Sequence, residues 1–598
     1  MEQIKNRSEI DNKYKWDLSK IYKDEHDIKK DIEKVKEITQ DFLKYQNHIV
    51  DNKETLLDAT NTYFSIIRIL DKLIVYSNMK YHEDMGNSKS KSLVGKISTL
   101  SDEIFEQIAF YVPEVSKSDY DTIKEYLKDE KLKTYSFIFE DLFRDKEHVL
   151  SLKEEQMLAR LGETLSASSD IYDSLDDVDL KFGNIKDEDG KEIELNNSNY
   201  TRLIKSPNRE VRKNTFETFY KSYKDFENTF AATLKGSIDA DTFIAKTRKY
   251  KSVLDMSLFG ENIDPKLYKN LITKVNKSLD TLHEYIKLKK EVLHLDDLHM
   301  YDIYVPLIKS NDKKYTYEEG KALVLEALKP LGDTYINDLK KIFNSNCIDV
   351  YNNKNKKSGA YSWGCYDSLP YVLLNYENTF NDVSTIAHEL GHSMHSYYSK
   401  TNQEYHNSSY TIFLAEIAST VNEILLNRYA YEKATTKEEK LSILDSLLES
   451  FRTTLYRQTM FAEFELIIHE ANENGEVLTS EYLNNEYYKL NKKYYGNDII
   501  SDEEIKYEWM RISHFYNSFY VYKYATGISI AAKIVSDILS NKKDAVKNYL
   551  EFLKSGGKTY SLDILKNVGI DIVNDNTIDE ALKMFKDTLE EFKKVYNS

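Results

Sequence analysis

Helix breakers are scarce in this chain: 598 residues contain only 18 Gly and 6 Pro. Average usage would be about 7% Gly and 5% Pro. Each Gly costs a helix interior about 1 kcal/mol relative to Ala, and each Pro about 3. Folds built from many short strands consume both residues in their turns. So few of them in so long a chain predicts long helices and argues against a sandwich, a propeller or a collagen-like repeat. Apolar residues at 41% and charged residues at 31% suffice for a packed core, which excludes wholesale disorder.

The chain carries 83 Lys and Arg against 100 Asp and Glu, a formal charge of −17. Phosphate recognition needs clustered basic residues, so a nucleic-acid partner is not expected. No apolar stretch reaches 18 residues, so neither a membrane-spanning helix nor a membrane partner is expected. The opening MEQIKNRSEIDNKYKWDLSKIY has no apolar segment of the kind a signal peptide needs. Cys347 and Cys365 are too few for a disulfide framework and suit a reducing compartment, so the expected location is cytoplasmic.

Residues 1–178 read as charged amphipathic helices. In Thr55 to Ser77, Leu56, Leu57, Ala59, Tyr63, Ile66, Ile67, Leu70 and Ile74 recur at three- and four-residue spacing and predict one buried stripe. Short alternating runs around Asp187-Glu188-Asp189-Gly190 predict a β-hairpin near 180–196. The expected division follows it: an N-terminal helical lobe over 1–200 and a catalytic domain over 201–598. Ser206-Pro207 predicts a helix start, with Ser as cap and Pro as first helical residue. Over 347–376, CIDVYN, GAYSWGC and PYVLLNY predict a small sheet. From Val383 onward the pattern is helical again.

His388-Glu389-Leu390-Gly391-His392 fits H-E-x-x-H. Residues i and i+4 share a helix face, so both histidines can reach one metal ion, with Glu389 placed to act as a base on a water. Asn381 or Asp382 is the expected cap, and Val383, Ile386, Leu390 and Met394 follow at helical spacing. Gly391 weakens the helix, a cost that is tolerable where another backbone must come close. Three other His-Glu pairs, at His82, His283 and His469, lack a His three residues after the Glu.

A catalytic zinc takes three protein ligands and leaves a position open. His395 lies two turns from His388, and one straight helix cannot easily wrap three ligands around an ion, so His395 reads as packing or as support for a ligand. Glu416 is the better third ligand. It lies in TIFLAEIASTVNEILLNRYA, where Phe413, Leu414, Ile417, Val421, Ile424 and Leu425 form an apolar stripe and Glu416, Thr420, Glu423 and Asn427 a polar one. A polar stripe ordinarily faces solvent. The gap from His392 is nevertheless long enough for a turn and a returning helix.

HELGHSMH followed by AEIASTVNE resembles the oligoendopeptidase F branch of the thimet-oligopeptidase family of zinc metallopeptidases. The resemblance extends to KSGAYSWGCYDSLPYVLLNY, SHFYNSFYVYKYATG and the N-terminal YKWDLSKIY. It implies one Zn²⁺ on His388, His392 and Glu416, with Glu389 as the catalytic carboxylate. It also implies a mainly α fold of two helical lobes around a deep substrate channel, with the small sheet beside the zinc.

Neutral peptide cleavage also needs donors for the developing oxyanion. SHFYNSFYVYKYATG offers His514, Tyr516, Tyr520, Tyr522 and Tyr524. The resemblance favours His514 with one or two tyrosines, and Tyr522 then Tyr520 are the expected choices. Glu423 is a candidate to orient a zinc-bound His. The run at 359–376 serves either as a buried sheet or as an edge that holds an extended peptide; the resemblance favours the second. The expected function is endoproteolysis of short unstructured peptides. A dipeptidyl carboxypeptidase and a non-catalytic helical peptide-binding protein are the alternatives.

Overall fold

The structure, a computed structural model, describes residues 5–308 and 313–598. It is mainly helical, with one two-stranded and one three-stranded sheet among the described residues. Six helices matter below: α1 (Lys53–His82), α2 (Glu227–Thr247), α3 (Phe380–Asn402), α4 (Ile412–Lys433), α5 (Arg457–Glu473) and α6 (Tyr522–Leu539). No helix among the described residues is long and apolar enough to cross a membrane.

The chain forms two compact units, each discontinuous in sequence. One comprises Met1–Glu147, Lys313–Ala430 and Ile534–Gly569; the other comprises His148–Asp312, Tyr431–Lys533 and Ile570–Ser598. These units do not divide at residue 200. In the first unit, Trp16, Leu18 and the α1 residues Leu56, Ile66 and Leu70 share one apolar cluster with Cys347, Cys365, Tyr371 and Leu373. The core that N-terminal helices need is thus completed by strands some 300 residues downstream, a distance that local pattern does not reveal.

Helix α1 follows its predicted stripe. Asn52 caps it by accepting from the Thr55 N–H. Leu56, Ala59, Ile66 and Leu70 are fully buried, and Leu57, Tyr63, Ile67 and Ile74 pack partly buried against the same cluster. The predicted hairpin forms as β1 (Asn184–Lys186) and β2 (Glu192–Glu194), with Ile185 opposite Ile193. Gly190 takes the positive φ, 76°, that its turn requires. It lies in the second unit, with helices of that unit on either side in sequence. The helix expected to begin at Pro207 starts at Arg209, because Asn208 caps it through the Glu210 N–H while Ser206 Oγ accepts from the Asn208 N–H.

The sheet predicted over 347–376 has the order β3 (Ile348–Asp349), β5 (Tyr371–Leu373), β4 (Tyr361–Trp363). Strand β3 runs parallel to β5, and β4 antiparallel to it. Strand β4 therefore has one edge without a strand partner among the described residues. It lies against α3, where Ser362 Oγ is 2.8 Å from Ser393 Oγ.

Candidate metal centre and active site

Helix α3 begins slightly earlier than the expected cap. Thr379 is the N-cap: its hydroxyl accepts from the Asp382 N–H, and the Asp382 carboxylate accepts from the Thr379 N–H. This reciprocal pair anchors the helix start. Val383, Ile386, Ala387, Leu390 and Met394 are buried, which fixes the rotation of the helix and turns His388 and His392 to one side.

Helix α4 crosses α3 at Gly391. A Cβ there would lie 2.4 Å from Ser419 Cα and 2.6 Å from both Ala418 O and Ser419 N. These are backbone atoms, so only glycine permits this approach. Asn422 secures the crossing by donating to the Ala387 carbonyl at 3.0 Å. Glu416 and Glu423, on the polar stripe of α4, thereby face the histidines.

The result is a triangle of ligand atoms. His388 Nε2 and His392 Nε2 are 3.2 Å apart, and Glu416 Oε2 lies 3.7 and 3.8 Å from them. Tetrahedral ligands at zinc bond lengths are separated by about 3.3 Å. Each ring is also oriented through a further contact. His388 Nδ1 lies 3.2 Å from Glu423 Oε1, and His392 hydrogen-bonds to the Ala415 backbone. With Nδ1–H committed to Glu423, the Nε2 lone pair of His388 points into the triangle. Two imidazole nitrogens and a carboxylate converging on one point call for a cation between them. The electrostatics agree. Burial opposes a charge on His388, but Glu423, Glu389 and Glu416 outweigh it and lift its pKa to about 9. His392, buried beside His388, falls to about 3. His388, His392 and Glu416 thus fit a zinc ion by donor type, spacing and charge.

Glu389 is 7% exposed. Burial pushes its carboxyl up to about 7; His388 opposes the rise, Glu416 and Glu423 add to it, and a hydrogen bond from the Ser362 backbone holds it down. That hydrogen bond also ties the carboxyl to strand β4. His395 is outside the metal triangle: it is buried, its ring stacked on Tyr410 with centroids 3.7 Å apart. The packing reading of His395 holds.

In the second unit, His514, Tyr520 and Tyr524 come together. His514 Nε2 is 3.3 Å from the Tyr524 hydroxyl, and the Tyr520 ring lies 5.9 Å from that of His514 and 5.6 Å from that of Tyr524. Tyr522, the first choice from sequence, does not join them. Its ring is fully buried, 5.2 Å from that of Tyr268. Tyr522 opens α6 and Tyr524 follows two residues later, about 200° around the helix, so their rings point to opposite sides; Tyr520 precedes the helix. Tyr516 is also packing: it stacks on Tyr172 at 4.2 Å, its hydroxyl 2.7 Å from Thr233 Oγ1.

With this geometry established, the comparisons with known proteins identify the class. Residues 202–584 match Peptidase family M3 and residues 114–182 match Oligopeptidase F. The chain belongs to peptidase family M3. Among its relatives, Oligopeptidase PepF of Bacillus subtilis is 42% identical over 594 residues, covering 99% of this chain and 89% of that one. An Oligoendopeptidase F homolog of Lactococcus lactis is 38% identical over 593 residues, covering 99% and 98%. The crystal structure of oligoendopeptidase-F from Enterococcus faecium superposes with a TM-score of 0.75 at 33% identity, covering 96% and 99%. The resemblance read in the sequence is therefore correct at the level of family.

Proposed function

We propose that this chain is a cytoplasmic zinc endopeptidase that cuts internal bonds of short, unstructured peptides. The observation that carries the reading is the convergence of His388, His392 and Glu416 in a chain of peptidase family M3. Zinc held by these three residues supplies a lowered pKa for a water nucleophile and polarisation of the scissile carbonyl. Glu389 accepts the proton of the attacking water and passes it to the leaving amine. Its hydrogen bond to the Ser362 backbone holds it next to β4. Extended peptide adding to the open edge of β4 would be held by backbone hydrogen bonds, with little demand on side-chain identity. His514, Tyr520 and Tyr524 supply donors for the oxyanion.

The test is a peptide pool, blocked at both termini, incubated with and without a chelator and read by mass spectrometry. Internal cleavage that the chelator abolishes is expected. Chelator-insensitive cleavage would sink the metal reading, and sparing of blocked peptides would favour an exopeptidase. A ten-residue substrate should be cut freely, and the same sequence in an ordered surface loop of a stable protein should not. Extending the loop costs local unfolding, whereas a free peptide loses only its own conformational entropy.

The tyrosine assignment predicts a separate outcome. Tyr520→Phe or Tyr524→Phe should lower kcat with little change in KM, by up to about 10²–10³ where a single oxyanion donor is lost. Tyr522→Phe should leave kcat unchanged. Steady-state kinetics on one blocked peptide decide it: an effect of Tyr522→Phe alone would restore the choice made from sequence.

A further inference from the structure

The turn that carries Tyr520 is held in a conformation its own residues disfavour. Ten non-glycine residues have positive φ among the described residues, and eight of them are Asn, Asp or His, whose side chains tolerate it. Phe519 is the only aromatic one apart from His294, at φ 59°. Such a conformation persists only where the surroundings over-determine it. Here they do, and every anchor lies in the second unit.

Glu465 of α5, a fully buried carboxyl, accepts the Phe519 N–H at 2.9 Å. Its other oxygen, Oε2, has no hydrogen-bond partner among the described residues. The Phe519 ring is buried, 4.6 Å from that of His469 and 5.4 Å from that of Tyr268. One residue earlier, Ser518 Oγ donates to Asp241 of α2 and lies 3.1 Å from His469 Nε2. His469 is in turn fixed through Nδ1 to the Glu465 carbonyl at 2.9 Å. Side chains of two helices thus hold residues 518 and 519. A cavity of about 230 Å³, lined by Asp241, Ser518, Phe519, Tyr520 and Lys523 among others, adjoins the turn. Close packing alone therefore does not confine it, and the hydrogen bonds must.

Residues 518–520 divide their side chains between two environments: Ser518 and Phe519 turn inward to the anchors, and Tyr520 turns to His514. The left-handed residue between Ser518 and Tyr520 makes that division. We propose that Glu465, together with Asp241, Ser518 and His469, forms a positioning clamp that holds the strained Phe519 turn and thereby fixes Tyr520 beside His514 and Tyr524. This rests on the reading that the His514–tyrosine cluster donates to the oxyanion. None of the four touches substrate; they act through Tyr520. Glu465 contributes a carbonyl oxygen to the Phe519 N–H. Burial pushes its carboxyl well above the usual range, so a neutral amide of the same shape can take its place.

The experiment compares Glu465→Ala, Glu465→Gln and Ser518→Ala, alone and combined with Tyr520→Phe, using a blocked peptide. Misplacement of a catalytic group by about 1 Å costs on the order of 10²-fold. Glu465→Ala and Ser518→Ala should each lower kcat by about 10–100-fold, with KM and bound metal unchanged. Glu465→Gln should restore most of kcat. In the Tyr520→Phe background, Glu465→Ala should cost little more, because both act through one hydroxyl. Ser518→Ala removes only a hydroxyl and reads the same turn should Glu465→Ala fold poorly. Parental kcat in His514→Ala and Tyr520→Phe would remove the cluster from the mechanism, and the clamp with it. With those two impaired, parental kcat in Ser518→Ala and Glu465→Ala, or additive losses in the double variants, would overturn the clamp alone.

Discussion

Glu389→Gln should keep its metal, bind peptide as the parent does, and lose at least about 10²–10⁴ in kcat. The substitution removes a base and leaves every ligand atom in place. His388, His392 and Glu416 do not depend on the Glu389 carboxyl for their orientation: His388 is set by Glu423, and His392 hydrogen-bonds to the Ala415 backbone. An amide nearly matches the carboxylate in volume, and its oxygen can still accept from the Ser362 backbone that now meets Glu389. It cannot accept the proton of the attacking water. Metal content by elemental analysis and kcat on a blocked peptide check this together. Near-parental turnover with metal bound would overturn the general-base role of Glu389.

Gly391→Ala should release the metal almost as effectively as Glu416→Ala, although it touches no ligand. In an isolated helix the change would stabilise by about 1 kcal/mol. In this fold the sign reverses. The new methyl would sit 2.4 Å from Ser419 Cα and 2.6 Å from the Ala418 carbonyl oxygen. Neither is the end of a flexible side chain, so one helix must move, at a cost of about 1–3 kcal/mol. Glu416 lies three residues before Ser419 on α4, and displacing that helix pulls its carboxylate away from the two histidines. Loss of a supporting contact typically weakens metal sites about 10–100-fold; here a ligand itself moves, so the effect should reach at least that range. Chelator titration and the melting temperature, measured against Glu416→Ala, decide it. Parental metal affinity in Gly391→Ala would show that α4 shifts without carrying Glu416 away.

Much of this site is legible in the order of its residues. H-E-x-x-H can be read because the pitch of a helix is a local property: once 380–402 is helical, His388 and His392 share a face whatever surrounds them. The α1 stripe and the Asp-Gly hairpin are legible for the same reason. Glu416 and Glu423 are harder, since a polar stripe on a helix looks the same whether it faces water or two imidazoles. The misplaced helix starts at 206–209 and 379–382 have a common cause. Ser, Thr, Asn and Asp all cap, and which one does depends on where the chain enters the helix.

The amino-acid sequence by itself determined the helical character of the chain, the pair of histidines and the carboxylate between them. Those follow from backbone pitch and residue chemistry within a few positions. Tertiary structure alone decided that Gly391 brings α4 against α3, that Tyr524 and not Tyr522 joins His514 and Tyr520, and that Glu465 and Asp241 grip the turn before Tyr520. Asp241 and Ser518 are 277 residues apart in the chain. The physical reason is one of range: helix periodicity repeats every few residues, whereas the partner of a buried polar group is chosen by packing across the whole unit.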